Sequence, residues 1–212
     1  MRFLIIAAAA GGAVLALGSC ATMSAEQCLA GDWSGQGYSD GASGLRMSRL
    51  DEHAEACAKH GVTPDRAAYA AGREQGLFRY CTPANGFHSG RSGSSYGGVC
   101  PSNLEADFLP AYRDGQVVYG VEQALVNARN SVVSFGSRLE ELDDKIAGKQ
   151  RELRADGLTD AQKDEIRARI QELRREREDT ERDWRRAQNA VDDAERDVRD
   201  IQWRFRDQYG SW

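Results

Sequence analysis

The sequence predicts a mostly α-helical fold, in which a small glycine-rich, disulfide-bonded head is followed by a long antiparallel helical hairpin of the coiled-coil kind. Three observations predict it. From residue 121 onward apolar residues return at alternating steps of four and three, the rhythm of a helical seam. Four cysteines, with most of the glycines and aromatics outside the leader, lie before that point. Charge density changes at the same place: residues 20–120 carry 8 basic and 11 acidic side chains, and residues 121–212 carry 19 and 22. The parts differ in density far more than in sign, which sets a head at 28–120 and a hairpin at 121–212.

The leader comes first. Arg2 precedes an unbroken apolar run over residues 3–17 that ends in Leu17-Gly18-Ser19-Cys20. A run of about 15 residues falls short of the roughly 20 that span a bilayer, and small residues precede the cysteine as at processed sites. The pattern resembles the bacterial lipoprotein signal, in which cleavage before the cysteine is coupled to lipidation of its thiol and new amino terminus. The resemblance implies a removed signal at 1–19, an acylated Cys20, and a lipidated N-terminal tether at 20–27. With Ala21 where inner-membrane retention uses aspartate, it implies the Gram-negative outer membrane, facing the periplasm. An ordinary secretory peptide that happens to contain a cysteine is the alternative.

Cys28, Cys57, Cys81 and Cys100 form an even set in a chain that reads as exported, so two disulfides are expected, with three connectivities open. Their intervals of 29, 24 and 19 lack the close pairs of a zinc site. A formal charge of -5 argues against a nucleic-acid surface, which needs a basic excess. No metal site or cofactor is expected.

Within the head, an aromatic is followed by glycine three positions on at Tyr38, Tyr69, Phe87 and Tyr112, at spacings of 31, 18 and 25 that fit no solenoid period. Gly37 with Gly41, and Gly72 with Gly76, lie four apart, which is one face if these segments are helical and allows close approach by another element; turns are the alternative. A helix is predicted over residues 45–59, stopped by Gly61. Thr63, Pro64 and Asp65 read as the N-cap and first turn of a second helix that ends before Pro83. Residues 82–103, rich in glycine and small polar side chains, read as a loop tied at Cys81 and Cys100.

Gly31-Asp32-Trp33, Gly37-Tyr38-Ser39-Asp40-Gly41, His53 with Cys57, Pro64-Asp65, Tyr69 with Gly72, Gly76-Leu77, Tyr80-Cys81, Asn85-Gly86, and Gly90 leading through Tyr96 to Cys100 stand in order along the head. Over roughly residues 28–120 this series resembles a bacterial lipoprotein family, domain of unknown function 2799. The resemblance implies no established activity.

The histidines are His53, His60 and His88. No HExxH, GxSxG, GxGxxG or phosphate-loop pattern accompanies them. His53 is the weak catalytic candidate, because Asp40, Asp51 and Glu52 are near in sequence and a carboxylate can orient its ring for proton transfer. Asp40 is its candidate partner, with turn capping as the plainer role.

The hairpin's first seam runs Val121, Leu125, Ala128, Val132, Phe135, Leu139, Leu142, Ile146, Lys149 and Leu153. Ser102 with Glu105 resembles a capping box, so the helix is expected to begin earlier and bend at Pro110. Asp156-Gly157 supplies a turn and Thr159 with Gln162 a cap. The return seam runs Ile166, Ile170, Leu173, Arg177, Thr180, Trp184, Ala187, Val191, Ala194, Val198, Ile201 and Phe205. Folding back at Gly157 sets Trp184 near residues 130–132 and Phe205 near 109–112. The dense outward charge of residues 172–178 reads as a solvated surface.

These features predict a periplasm-facing lipoprotein, attached to the membrane through its lipid anchor, with a structural or protein-interaction role and no enzymatic activity. A homodimer or another envelope protein is the expected partner. The alternative is a head that binds or hydrolyses cell-wall glycan, with His53 near a carboxylate.

Overall fold

The computed structural model describes residues 22–212. The signal expected at 1–19 and the lipidation expected at Cys20 fall on residues outside those described. Among those residues there are seven helices and no strand: α1 Ala25–Ala30, α2 Trp33–Ala42, α3 Arg49–Ala58, α4 Arg66–Tyr80, α5 Pro83–Arg91, α6 Ser102–Leu153 and α7 Asp160–Tyr209. They form two compact units, divided between Arg79 and Tyr80. The division falls inside the stretch that composition groups as one head. No described helix is long and apolar enough to cross a membrane.

In the first unit, Asp32 starts α2 by accepting from the Gly35 amide at 2.8 Å. The helix then lies directly on α4, backbone to backbone. A Cβ on Gly37 would strike the Tyr69 carbonyl oxygen, and one on Gly41 the Arg73 carbonyl; Gly72 and Gly76 face Ser34 and Tyr38 in the same way. Contact positions rise together on both helices, so α2 and α4 run parallel and the chain must travel back between them. That return contains α3. It begins at Arg49, four residues later than the pattern predicts, and the carbonyl of Leu45 accepts from the Arg73 guanidinium at 2.7 and 2.9 Å. Asp65, rather than Thr63, caps α4 by accepting from the Ala67 and Ala68 amides at 2.9 Å, which leaves Pro64 outside the first turn. Cys28 and Cys57 are bonded to each other, and the core gathers Met23, Trp33, Leu50 and Tyr69 around them.

The second unit corrects the expected loop at 82–103. Thr82 accepts from the Asn85 amide at 3.2 Å and Pro83 occupies the first turn, so α5 forms over Pro83–Arg91. Its glycines serve contact rather than turning: Gly86 and Gly90 sit on the carbonyls of Phe108 and Tyr112 of α6, while Gly115 sits on that of Phe87. This pair is parallel too. The capping box expected at Ser102 does not form; the helix starts behind Pro101, and Glu105 instead accepts from the Tyr96 hydroxyl at 2.8 Å. Pro110 lies inside α6 without ending it.

The two units repeat one motif. Cys28 lies nine residues before Gly37 and Cys81 nine before Gly90; Cys57 lies twelve before Tyr69 and Cys100 twelve before Tyr112. Each tyrosine carbonyl receives the matching glycine, each pair of cysteines is bonded, and a glycine follows each tyrosine by three. The bonded cysteines are separated by 29 residues in the first unit and 19 in the second; the extra length lies between Gly37 and His53. Closing loops of this size contributes about 3–4 kcal/mol each in the chain-entropy account.

Beyond the second motif α6 continues alongside α7. Thr159 and Gln162 form the reciprocal capping box at the start of α7, and Gly157 takes φ 82 in the turn. Pairs between Arg138 and Glu176, Arg129 and Glu195, and Asp114 and Tyr209 follow one another in opposite directions along the two helices. Leu142, Ile146 and Leu173 form one apolar cluster. Phe205 and Ile201 join Phe87, Ala111 and Val118 in another. The Trp184 indole nitrogen is 3.8 Å from the Cβ position of Gly136, about one turn nearer the hairpin tip than the sequence places it. Arg177 and Thr180 are satisfied inside the seam, by Asp143 at 2.6 Å and by the Glu176 carbonyl at 2.8 Å.

Gly72→Ala places a methyl group against the Ser34 carbonyl and is expected to lower the unfolding free energy by about 2–3 kcal/mol. Gly120→Ala, in helical and open space, is expected to raise it by up to about 1 kcal/mol. Chemical denaturation followed by far-UV circular dichroism measures both.

Candidate functional site

The polar centre of the first unit is assembled from three helices and the segment before α1. Gly37 and Gly41 bring α2 onto α4, so Asp40 and Tyr69 meet at depth, and α3 lays His53 across them. The His53 Nε2 is 2.7 Å from Asp40 Oδ2, and the Tyr69 hydroxyl donates to the same oxygen at 2.7 Å. Gln36 donates to the other carboxylate oxygen at 3.1 Å. On the far side of the ring, His53 Nδ1 is 2.7 Å from the Thr22 hydroxyl. His53 is 1% exposed and Asp40 5%.

A carboxylate only accepts hydrogen bonds, so with Asp40 in that form the His53 Nε2 bears a proton. In the neutral ring Nδ1 then accepts from Thr22. Burial, reinforced by the hydrogen bond to Asp40, pushes the Tyr69 hydroxyl above its ordinary value and keeps it a donor. Every polar atom in the group therefore has a partner, as burial demands. Chemically, the arrangement is a hydroxyl, an imidazole and a carboxylate in series, the order in which a base withdraws a hydroxyl proton while a carboxylate holds the base's tautomer.

The second unit satisfies its tyrosine differently. Tyr112, which stands where Tyr69 does, donates to the Ser94 carbonyl at 2.8 Å and accepts from the Tyr96 amide at 3.2 Å. At the position of His53 this unit has Tyr96. A backbone carbonyl thus suffices to satisfy the tyrosine of the motif. Where the first copy has Asp40 and His53 the second has Gly93 and Tyr96, and Tyr96 donates to the Glu105 carboxylate at 2.8 Å.

Of the carboxylates near His53 in sequence, Asp40 alone reaches it; Asp51 and Glu52 are exposed, and Glu52 pairs with Arg49. His60 is half-buried in the turn after α3, and His88 is exposed on α5. Residues 82–103 belong to the other compact unit. Cys28 with Cys57 and Cys81 with Cys100 settle which of the three connectivities forms. Thr22 carries no signal in the sequence, because 31 residues separate it from His53 and no local pattern links them. Tyr69 stood in the sequence only as an aromatic ahead of a glycine. Among the described residues no group of three or more histidine, cysteine, aspartate and glutamate side chains is placed to hold a metal ion.

Asp40→Ala removes the acceptor shared by His53 and Tyr69 and is expected to cost about 3 kcal/mol of stability, measured by denaturant titration. The raised Tyr69 value carries a pH consequence. Its contribution is complete below about pH 10, where the unfolded tyrosine begins to ionise, and is lost as pH rises toward the folded value. Comparing denaturation at about pH 8 and about pH 11, Tyr69→Phe is expected to lessen the alkaline fall, with Tyr209, also raised by burial and by Asp114, responsible for a second share.

Comparison with curated proteins gives no match, and comparison with solved structures gives none. Residues 32–117, from the cap of α2 to two residues past Gly115, match the family described as protein of unknown function (DUF2799). That stretch holds the contact glycines of both parallel helix pairs.

Proposed function

We propose that the chain is an envelope lipoprotein anchored through Cys20, facing the periplasm from the outer membrane, with a structural or protein-interaction role carried by α6 and α7 as a coiled-coil hairpin. The allocation of chain carries this reading. Helices of 52 and 50 residues form the largest elements, and each has its seam on one side and a long outward face on the other. Two disulfides suit an oxidising compartment. Site-specific photocrosslinking from outward positions on both helices in intact cells tests it. Protein adducts are expected, and the absence of any adduct, to another protein or to itself, would sink the interaction role.

A second reading is favoured by Thr22, His53 and Asp40. Here the first unit binds a cell-wall component or hydrolyses an acyl bond on it. His53 Nδ1 takes the Thr22 proton as the oxygen attacks the acyl carbonyl, and Asp40 stabilises the imidazolium. The imidazolium protonates the departing group as the acyl bond breaks, and water activated by His53 then hydrolyses the Thr22 ester. This reading starts from atoms already in contact, which the first reading lacks for its partner. The satisfaction of Tyr112 by a backbone carbonyl supports it, since the motif tyrosine does not by itself call for a histidine. It requires the segment bearing Thr22 to admit substrate past a ring that is 1% exposed. Thr22→Ala is expected to abolish hydrolysis of purified cell-wall fragments while leaving the melting temperature within a few degrees. Wild-type protein with no binding and no turnover of those fragments would remove this reading.

A further inference from the structure

From Thr22 onward the chain is fixed to the first unit. The Thr22 hydroxyl is 2.7 Å from the Nδ1 of His53, a ring that is 1% exposed. Met23 is 3% exposed, packs in the apolar core and brings its sulfur to 4.0 Å from the Cys57 sulfur. Ser24 and Gln27 close a reciprocal capping box, with contacts of 2.8 and 3.2 Å, that starts α1. Cys28 is then bonded to Cys57. Residues 22–27, read from the sequence as part of a tether, are thus built into the fold.

Helix α1 turns Cys28 inward and leaves Ala25 and Leu29, four apart and so on one helical face, in the open. Leu29 is 69% exposed, the most exposed large apolar side chain described in that unit. From Thr22 to Gly31 the one charged residue is Glu26. The segment has neither the basic residues that seek anionic lipid nor the dense charge that α7 presents to water.

Resting on the anchored reading above, we propose that the first unit is seated directly on the lipid surface, with α1 as the contacting element. Cys20 stands two peptide units before Thr22, a span of at most about 8 Å. Eight free residues would instead allow about 28 Å. The headgroup layer on one side of a bilayer is about 6 Å deep. With the acyl chains held in the hydrocarbon beyond that layer, a unit fixed from Thr22 onward has no slack with which to clear it. Helix α1 is the first element after the anchor. The seating brings its Ala25 and Leu29 face to the boundary between headgroups and acyl chains, where an apolar side chain gains by leaving water.

The test uses the full chain extracted from cell envelopes, with the mass of its N-terminal peptide reporting acylation, reconstituted in phosphatidylcholine vesicles. Leu29→Cys and Ala25→Cys, two exposed positions on α1, each carry a fluorescent label. Phe78→Cys is the reference in the same unit: it is 52% exposed and lies about 13 Å along α4 from Tyr69. Quenching by a lipid with a nitroxide near its headgroup is expected to be at least threefold stronger at both α1 positions than at Phe78→Cys, with far-UV circular dichroism unchanged. A glycine-serine insertion of about 15 residues between Ala21 and Thr22, reaching roughly 20 Å, is expected to abolish that difference. Acylated protein with equal quenching at the α1 positions and Phe78→Cys, or with a difference that survives the insertion, would overturn the seating and leave the anchor standing. An N-terminal peptide without lipid would overturn the anchored reading and the seating with it.

Discussion

The constraint on which the rest depends is the direct seating of one helix backbone on another. Gly37 and Gly41 against α4, and Gly86 and Gly90 against α6, leave no room for a side chain between carbonyl and Cα. Such contact replaces the usual layer of interdigitated side chains with many short van der Waals contacts and weak Cα–H···O interactions. Because the helices run parallel, the chain has to double back once per pair, and each return is fixed by a disulfide. Small units with thin cores often require such covalent help. The glycines and the cysteines are thus two parts of one solution.

The duplicated motif gives the polar centre its meaning. In the second copy the motif tyrosine is satisfied by a carbonyl and surrounded by aromatic rings, Phe108 stacked near Tyr112 and Tyr96. In the first copy the equivalent space holds a histidine, a carboxylate and a threonine hydroxyl. The two copies act as an internal comparison in which backbone packing is held constant and chemistry is varied. What varies reaches the N-terminal segment at Thr22.

Much of the α6 and α7 pairing was legible because a seam with fixed spacing states its own partner direction: Leu142, Ile146 and Leu173 meet as their rhythm requires. The capping signal at Thr159 was equally readable, being local. The failures concern residues with two physical uses. Gly86 and Gly90 look like loop glycines until a helix lies on them, and Asp65 competes with Thr63 for the same amides. Asp40 and His53 could be paired on paper. Thr22 could not, because hydrogen bonds between distant segments leave no periodic trace, and the repeat was obscured because its two return segments differ in length.

Helix α6 belongs to two structures at once. Its first turns are half of a glycine-seated pair, with Gly115 against the Phe87 carbonyl, and the rest forms one arm beside α7. Since the helix is continuous through Pro110, a twist applied far along the arm cannot be absorbed at a joint; it would drive Gly115 sideways across a carbonyl with no clearance. The arm behaves as a key held in its lock, free to bend with thermal motion but not to spin, so whatever its outward face meets is met in one fixed orientation about the axis.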